Sequence, residues 1–256
     1  MEKVNVIKVG GSTLGRHDTT IEDIVTLQQQ GKRLVVVHGG AKIVTNWLSR
    51  QNIVSQFVRG ERVTDETSLD VIVAVLAGLI NKDIVADISG RGGRAIGLSG
   101  VDGTFIKGKI REPEMGYVGT VTRVDTALLE TLLGTGFVPV VAPVSFNSNF
   151  TKIHQQTHTS KILNINADIV AGEIASSIET ERLVFLTDVT GILDRGGKLL
   201  PQLLYGEAKA LVTSGVASGG MIPKINACLK ALSNTSTTSI IDGRQPHALL
   251  RELKGQ

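Results

Sequence analysis

The sequence predicts an α/β fold with an open, mainly parallel sheet between helix layers. Three observations carry this expectation. Short runs rich in Val and Ile alternate with amphipathic stretches along the whole chain, the pattern of strands joined by crossover helices. Hydrophobic residues reach 41% while aromatics are only 4%, so the core rests on Val, Ile, Leu and Ala, as suits parallel strands covered on both faces. Two glycine pairs, Gly10-Gly11 and Gly39-Gly40, stand just after two of these runs, where open parallel sheets hold their ligands.

Taken in order, Val4–Val9 reads as the first strand and ends at the first glycine pair. Ile21–Gln30 has helical spacing and leads to a second strand, Leu34–Val37, followed by His38 and the second pair. A helix over Ala41–Arg50 opens directly after it. Asp65 suits the N-cap of a long helix across Leu69–Ile88, whose apolar residues recur at helical spacing. Further strands are expected at Ala95–Leu98, Val138–Ala142, Leu183–Leu186 and Ser239–Ile241. Further helices are expected over Ala127–Leu133, Ala167–Ile178, Glu207–Thr213 and Met221–Leu232. Phe57–Val63 and Phe105–Arg123 break the alternation as hairpins or irregular β structure, and the polar stretch Phe146–Lys161 reads as a solvated excursion or loop. With no internal repeat and no linker, the chain 1–256 is expected to form one unit of two lobes, 1–180 and 181–256.

Composition excludes several classes. Charged residues make up 20% and the net charge is only +3, far from the balance of a disordered chain. A slight positive excess suits anionic small molecules but is equally ordinary without them. No dense Lys/Arg run interleaves with aromatics, so a nucleic-acid partner is not expected. The single cysteine, Cys228, permits no internal disulfide and no cysteine-rich metal site; it reads as a small buried apolar side chain. The N-terminus lacks an apolar core of signal-peptide length, and no apolar run reaches the ~18 residues that a membrane span needs. A cytoplasmic protein is the expectation.

Glycine admits a ligand close to the backbone, whose N–H groups then donate to phosphate oxygens, and a helix opening at Ala41 adds its positive end. Neither pair belongs to G-x-x-x-x-G-K-[ST] or to G-x-G-x-x-G, so any phosphate site uses another scaffold. Lys8 sits inside an apolar strand, where an unpaired ammonium is expensive to bury; it either has a partner or faces solvent from an edge strand. Taken singly, Arg62 suits a surface hairpin, Asp168 a helix cap and Lys224 a solvated helix start. His38, with no second ligand type at metal spacing nearby, reads as a hydrogen-bonded structural residue. His154 and His158 stand four apart but lack surrounding periodicity, and read as loop residues.

The segments VIKVGGS, VVVHGGA, RGERVTD, AIGLSGVDG, NINAD, FLTDVTGIL and GGMIPKINA occur in this order. Together they resemble the amino acid kinase family from about Val4 to about Leu253. IKVGG and LTDVTGIL are shared across that family. HGG, RVTD, NINAD and GGMIPK are most similar to its members that phosphorylate N-acetylglutamate. The resemblance implies transfer of the γ-phosphate of ATP to the side-chain carboxylate of that acyl amino acid, as in arginine biosynthesis. It implies that Lys8 contacts the transferring phosphoryl group, that Lys224 acts from the ATP side, and that Asp168 orients both. Gly10, Gly11, Gly39 and Gly40 would offer N–H groups to phosphates. Gly40, Ala41, Arg62 and Asn164 fall where the family holds the acyl acceptor, in lobe 1–180. Thr187, Asp188, Val189, Thr190, Gly191, Ile192 and Leu193, with Val216, Ala217 and Ser218, fall where it holds the adenine nucleotide, in lobe 181–256. Mg²⁺ would be held mainly by the ATP phosphates rather than by protein ligands.

The implied chemistry explains why no Ser/His/Asp or Cys/His set is needed. A carboxylate is already an anionic nucleophile and requires no general base. The obstacle is its repulsion from a triphosphate, which two lysines, Mg²⁺ and backbone N–H groups offset.

The sequence departs from the family at Ala41, where a third glycine is usual, in the longer polar stretch before NINAD, and at the RELKGQ end, which lacks a Gly-Thr tail. The first strand begins about four residues from Met1, so the N-terminal helix of arginine-inhibited hexameric members is not expected. The resemblance thus implies a homodimer insensitive to arginine. Two other readings stand beside the first: a kinase for a related acyl amino acid such as an aminoadipate derivative, and a non-catalytic nucleotide or amino-acid sensor. A pure sensor has no use for Lys8, Asp168 and Lys224 together.

Overall fold

The computed structural model describes residues 3–10, 19–150 and 160–255. Strand β1 (Val4–Val9) leads to α1 (Thr20–Gln29), β2 (Arg33–His38) and α2 (Ala41–Arg50). A short hairpin follows, β3 (Phe57–Val58) with β4 (Glu61–Arg62). Asp65 caps α3 (Glu66–Val73) by accepting from Ser68 N at 2.7 Å. The long helix expected here is present but is not α-helical throughout: Ala74–Ile80 forms a π-helical segment before α4 (Asn81–Gly90). Strands β5 (Ala95–Ser99), β6 (Ile106–Ile110) and β7 (Gly119–Val124) precede α5 (Ala127–Gly134), β8 (Val138–Ala142), β9 (Val144–Asn147) and β10 (Ile162–Asn164). The chain continues through α6 (Ala167–Ser177), β11 (Thr180–Thr187), α7 (Tyr205–Thr213), α8 (Met221–Ala231), β12 (Thr235–Asp242) and α9 (Ala248–Lys254).

Six strands form one parallel sheet in the order β12-β11-β1-β2-β8-β5. Strand β1 lies inside it, between β2 and β11, so the edge-strand alternative for Lys8 is overturned. Period-two alternation sorts the side chains of β1. Ile7 and Val9 join one apolar cluster with Leu34, Val36, Val184 and Leu186, packed by residues of α1, α2, α4 and the π segment. Val4 and Val6 join the other cluster with Val35, Val37, Leu183 and Phe185, packed by residues of α5, α6 and α8. A smaller sheet, β10-β9-β6-β7, extends from the carboxyl end of the main one. The expected hairpins within Phe57–Val63 and Phe105–Arg123 are both present. The polar stretch contributes β9 and β10, paired antiparallel; residues 151–159, with His154 and His158, lie outside the described residues.

Candidate active site

Lys8 occupies the Val4/Val6 face of β1, the face covered by α6 and α8, and those helices supply its partners. Its Nζ lies 2.8 Å from Asp168 Oδ1. Lys224 Nζ lies 3.0 Å from Asp168 Oδ2. All three side chains are largely buried, at 10%, 6% and 14% exposure for Lys8, Asp168 and Lys224. One carboxylate thus holds two ammonium groups, which leaves the trio a net positive charge at the floor of a cleft. The reading of Asp168 as the cap of α6 is overturned as well. Asn166 is the cap, its Oδ1 accepting from Asp168 N at 2.8 Å. Asn is among the best N-cap residues, so that role was open to prediction from NINAD.

Arg62 is not a surface hairpin residue but is 8% exposed. Its guanidinium stacks 4.7 Å from the Phe57 ring centroid, donates from Nη2 to Thr45 Oγ1 at 2.7 Å and Ala41 O at 3.2 Å, and donates from Nη1 to Ser55 Oγ. Asn164 donates to Thr64 Oγ1 at 3.1 Å, and Thr64 Oγ1 in turn donates to Arg62 O at 3.1 Å. Sequence reasoning missed Thr45, Ser55 and Thr64. Thr45 was within reach, lying one helical turn beyond Ala41; Thr64 stood inside the RVTD segment without being singled out, and Ser55 carried no pattern. It also missed Arg111, which meets Glu61 at 2.6 Å and ties the β3–β4 hairpin to the end of β6.

A cleft of about 970 Å³ opens at the carboxyl end of the main sheet. Lys8, Gly39, Gly40, Ala41, Arg62, Asn164, Asp168 and Lys224 all line it, although they span more than 200 positions of sequence. Gly10 stands at the end of β1, its N–H donating to Leu186 O at 3.2 Å; Gly11 lies outside the described residues. Thr187–Leu193 and Val216–Ser218 are not among the residues lining this cleft. They lie beside it, Thr187 ending β11 and Ser218 leading through Gly219 and Gly220 into α8. Val189 and Leu193 are 40% and 43% exposed.

His38 is fully buried against Asn81 and Gly39, the structural role expected for it. Burial pushes the Cys228 thiol up to about 12, which leaves it protonated and unreactive. Among the described residues no group of three or more His, Cys, Asp or Glu side chains is arranged to hold a metal, and no helix is long and apolar enough to cross a membrane.

The sequence pattern of the amino acid kinase family matches residues 3–242. This chain belongs to the amino acid kinase family. An acetylglutamate kinase of Dehalococcoides mccartyi (strain CBDB1) is 49% identical over 248 residues, 97% of this chain and 90% of that one. One of Campylobacter curvus (strain 525.92) is 42% identical over 258 residues, 98% and 88% of the two chains. Among solved structures, the N-acetylglutamate synthase of Neisseria gonorrhoeae with coenzyme A and N-acetyl-glutamate superposes with a TM-score of 0.82 at 26% identity, over 98% of this kinase and 57% of that chain. The carbamate kinase of Giardia lamblia bound to AMP-PNP gives 0.70 at 14% identity, over 99% and 96%, a likeness of fold alone. The parallel sheet between helix layers is the family fold expected from the alternating pattern.

Proposed function

We propose that this amino acid kinase transfers the γ-phosphoryl group of ATP to the side-chain carboxylate of N-acetyl-L-glutamate, a step of arginine biosynthesis. The observation that carries the reading is Asp168 gripping Lys8 and Lys224 at 2.8 and 3.0 Å on the cleft floor. Two buried cations locked to one carboxylate keep one positive charge in excess, held ready for an anionic group in the cleft. The high identity to acetylglutamate kinases supports the choice of acceptor.

A carboxylate oxygen of the acceptor attacks the γ-phosphorus, the bond to the β–γ bridging oxygen breaks, and ADP leaves with that electron pair. Lys8 meets the phosphoryl group and Lys224 the ATP side. The N–H groups of Gly10 and Gly39 are held by Leu186 O and Val9 O at 3.2 and 3.0 Å, which corrects the expectation that all four glycines donate; the backbone N–H groups of Gly11 and Gly40 serve the phosphate oxygens. Mg²⁺ enters as part of the magnesium–ATP substrate and spreads the phosphate charge. Arg62 and Asn164, with the Gly40–Ala41 backbone, hold the acceptor. Thr187–Leu193 and Val216–Ser218 receive the nucleotide. The acceptor belongs to lobe 1–180 and the nucleotide to lobe 181–256, within a cytoplasmic homodimer that binds neither nucleic acid nor membrane.

A coupled ADP-release assay across N-acetylglutamate, N-acetylaminoadipate and free glutamate tests this, with light scattering for the dimer. Turnover preferring N-acetylglutamate is expected. A preference for the aminoadipate derivative overturns the acceptor, and no turnover with any acceptor at saturating magnesium–ATP overturns the kinase.

A further inference from the structure

Beneath the second glycine pair lies a row of buried polar groups that the proposed chemistry does not use. His38 ends β2 and is fully buried, as is Asn81 at the start of α4. His38 Nδ1 lies 3.0 Å from Gly39 O, and its Nε2 lies 3.2 Å from Asn81 Nδ2. Asn81 Nδ2 is also 2.8 Å from Val140 O and 3.4 Å from Leu98 O. Asn81 Oδ1 is 3.1 Å from Lys82 Nζ, which donates as well to Gly97 O at 3.2 Å.

These partners fix where the protons sit. An ammonium only donates and a main-chain carbonyl only accepts. The Asn81 oxygen therefore faces Lys82, and its amide nitrogen faces Val140. That nitrogen, a donor, also confronts His38 Nε2, which can meet it only with a bare lone pair. The ring proton must then lie on Nδ1, where Gly39 O accepts it. An imidazolium would set two donors against each other at Asn81, in keeping with burial holding the ring down to about 4.

The consequence reaches the cleft through one peptide plane. No described peptide is cis, so Gly39 C=O and Gly40 N–H point opposite ways. Holding the carbonyl inward against His38 turns the N–H outward, to the cleft that both glycines line. Among the described residues no backbone or side-chain acceptor takes that N–H. The π segment supplies a second restraint. A Cβ on Gly40 would stand 2.8 Å from Leu76 Cδ2 and collide with Ile80 Cδ1. One π turn thus delivers Leu76 and Ile80 under Gly40 and Asn81 beside His38, and such turns recur at functional sites.

We propose that His38, held by Asn81 as its Nδ1–H tautomer, is a positioning residue that aims the Gly40 N–H at the phosphoryl group in transfer. The inference rests on the kinase reading above. Its first test does not depend on turnover: long-range ¹H–¹⁵N correlation on the full chain labelled with ¹⁵N-histidine, between pH 6 and 8. The His38 signals are assigned by their loss in His38→Asn. A neutral ring with its proton on Nδ1 throughout is expected; a proton on Nε2, or titration within that range, overturns the inference. The second test is kinetic. Glutamine places its amide near the Nε2 position and loses the bond to Gly39, whereas asparagine places an N–H donor near the Nδ1 position. His38→Gln should lower kcat about tenfold or more with both KM values within about twofold, a fraction of the loss for deleting such a donor. His38→Asn should restore kcat at least about fivefold above that of His38→Gln. Equal losses in the two variants, at matched melting temperatures, overturn the positioning role. If His38→Gln does not fold, Asn81→Ala replaces it: a mixture of His38 tautomers is then expected, and an unchanged Nδ1–H ring removes Asn81 from the role.

Discussion

Asn166 accepts the first hydrogen bond of α6 from Asp168 N at 2.8 Å, and so frees the Asp168 carboxylate from capping its own helix. That carboxylate instead bridges β1 and α8 through Lys8 and Lys224.

Removing either lysine should impair chemistry more than binding. Lys8→Ala and Lys224→Ala are each expected to lower kcat by about 10² or more, since their charge is used most as the phosphoryl group moves. Steady-state kinetics beside circular dichroism checks this. Near wild-type turnover in a folded Lys8→Ala protein takes Lys8 out of the site.

Removing the shared carboxylate should act on stability too. Asp168→Asn leaves two buried ammonium groups without their anion, and breaking a buried ion pair costs about 3–5 kcal/mol. Urea titration should give Asp168→Asn a lower midpoint than either single lysine variant, in which Asp168 keeps one partner. The reverse order refutes the shared-carboxylate arrangement.

Arg62 can meet a carboxylate with two parallel N–H groups, a geometry lysine does not reproduce. Arg62→Lys should therefore raise KM for the acyl amino acid by about tenfold and leave KM for ATP nearly unchanged. Equal effects on both constants argue against acceptor binding by Arg62.

His38 gives stability a pH dependence of known sign. Its folded value is about 4 against an ordinary 6.5. Between these values the unfolded chain binds a proton that the folded chain refuses, so stability present above pH 6.5 is lost as pH falls toward 4. The full effect is about 3 kcal/mol. Urea unfolding at pH 7 and pH 4.5 should give a steeper loss for wild type than for His38→Asn. Parallel losses exclude His38 as the source.

The sheet and its helices were legible because alternation of Val/Ile runs with amphipathic stretches is a local signal, and β1, α2 and β8 match it at both ends. The π segment was not. Ala74–Ile80 is as apolar as an α-helix would be, and its Leu76 and Ile80 side chains lie against Gly40, a contact that no local pattern announces. Within the site, Lys8 was legible locally as a charge in an apolar strand; its partner Asp168, 160 residues away, carried no local signal and was named only through the family resemblance. Ser55 stayed hidden because a hydroxyl in a loop has many ordinary uses.

The order in which the strands lie has a consequence for biosynthesis. Strand β1 leaves the ribosome first, yet one of its two neighbours, β11, begins only at Thr180. Until then a nascent chain can pair β1 with β2 alone, and Asp168, the anion that Lys8 lies against in the folded protein, has yet to emerge. Long-range pairing of this kind slows folding and lengthens exposure of unpaired strand edges.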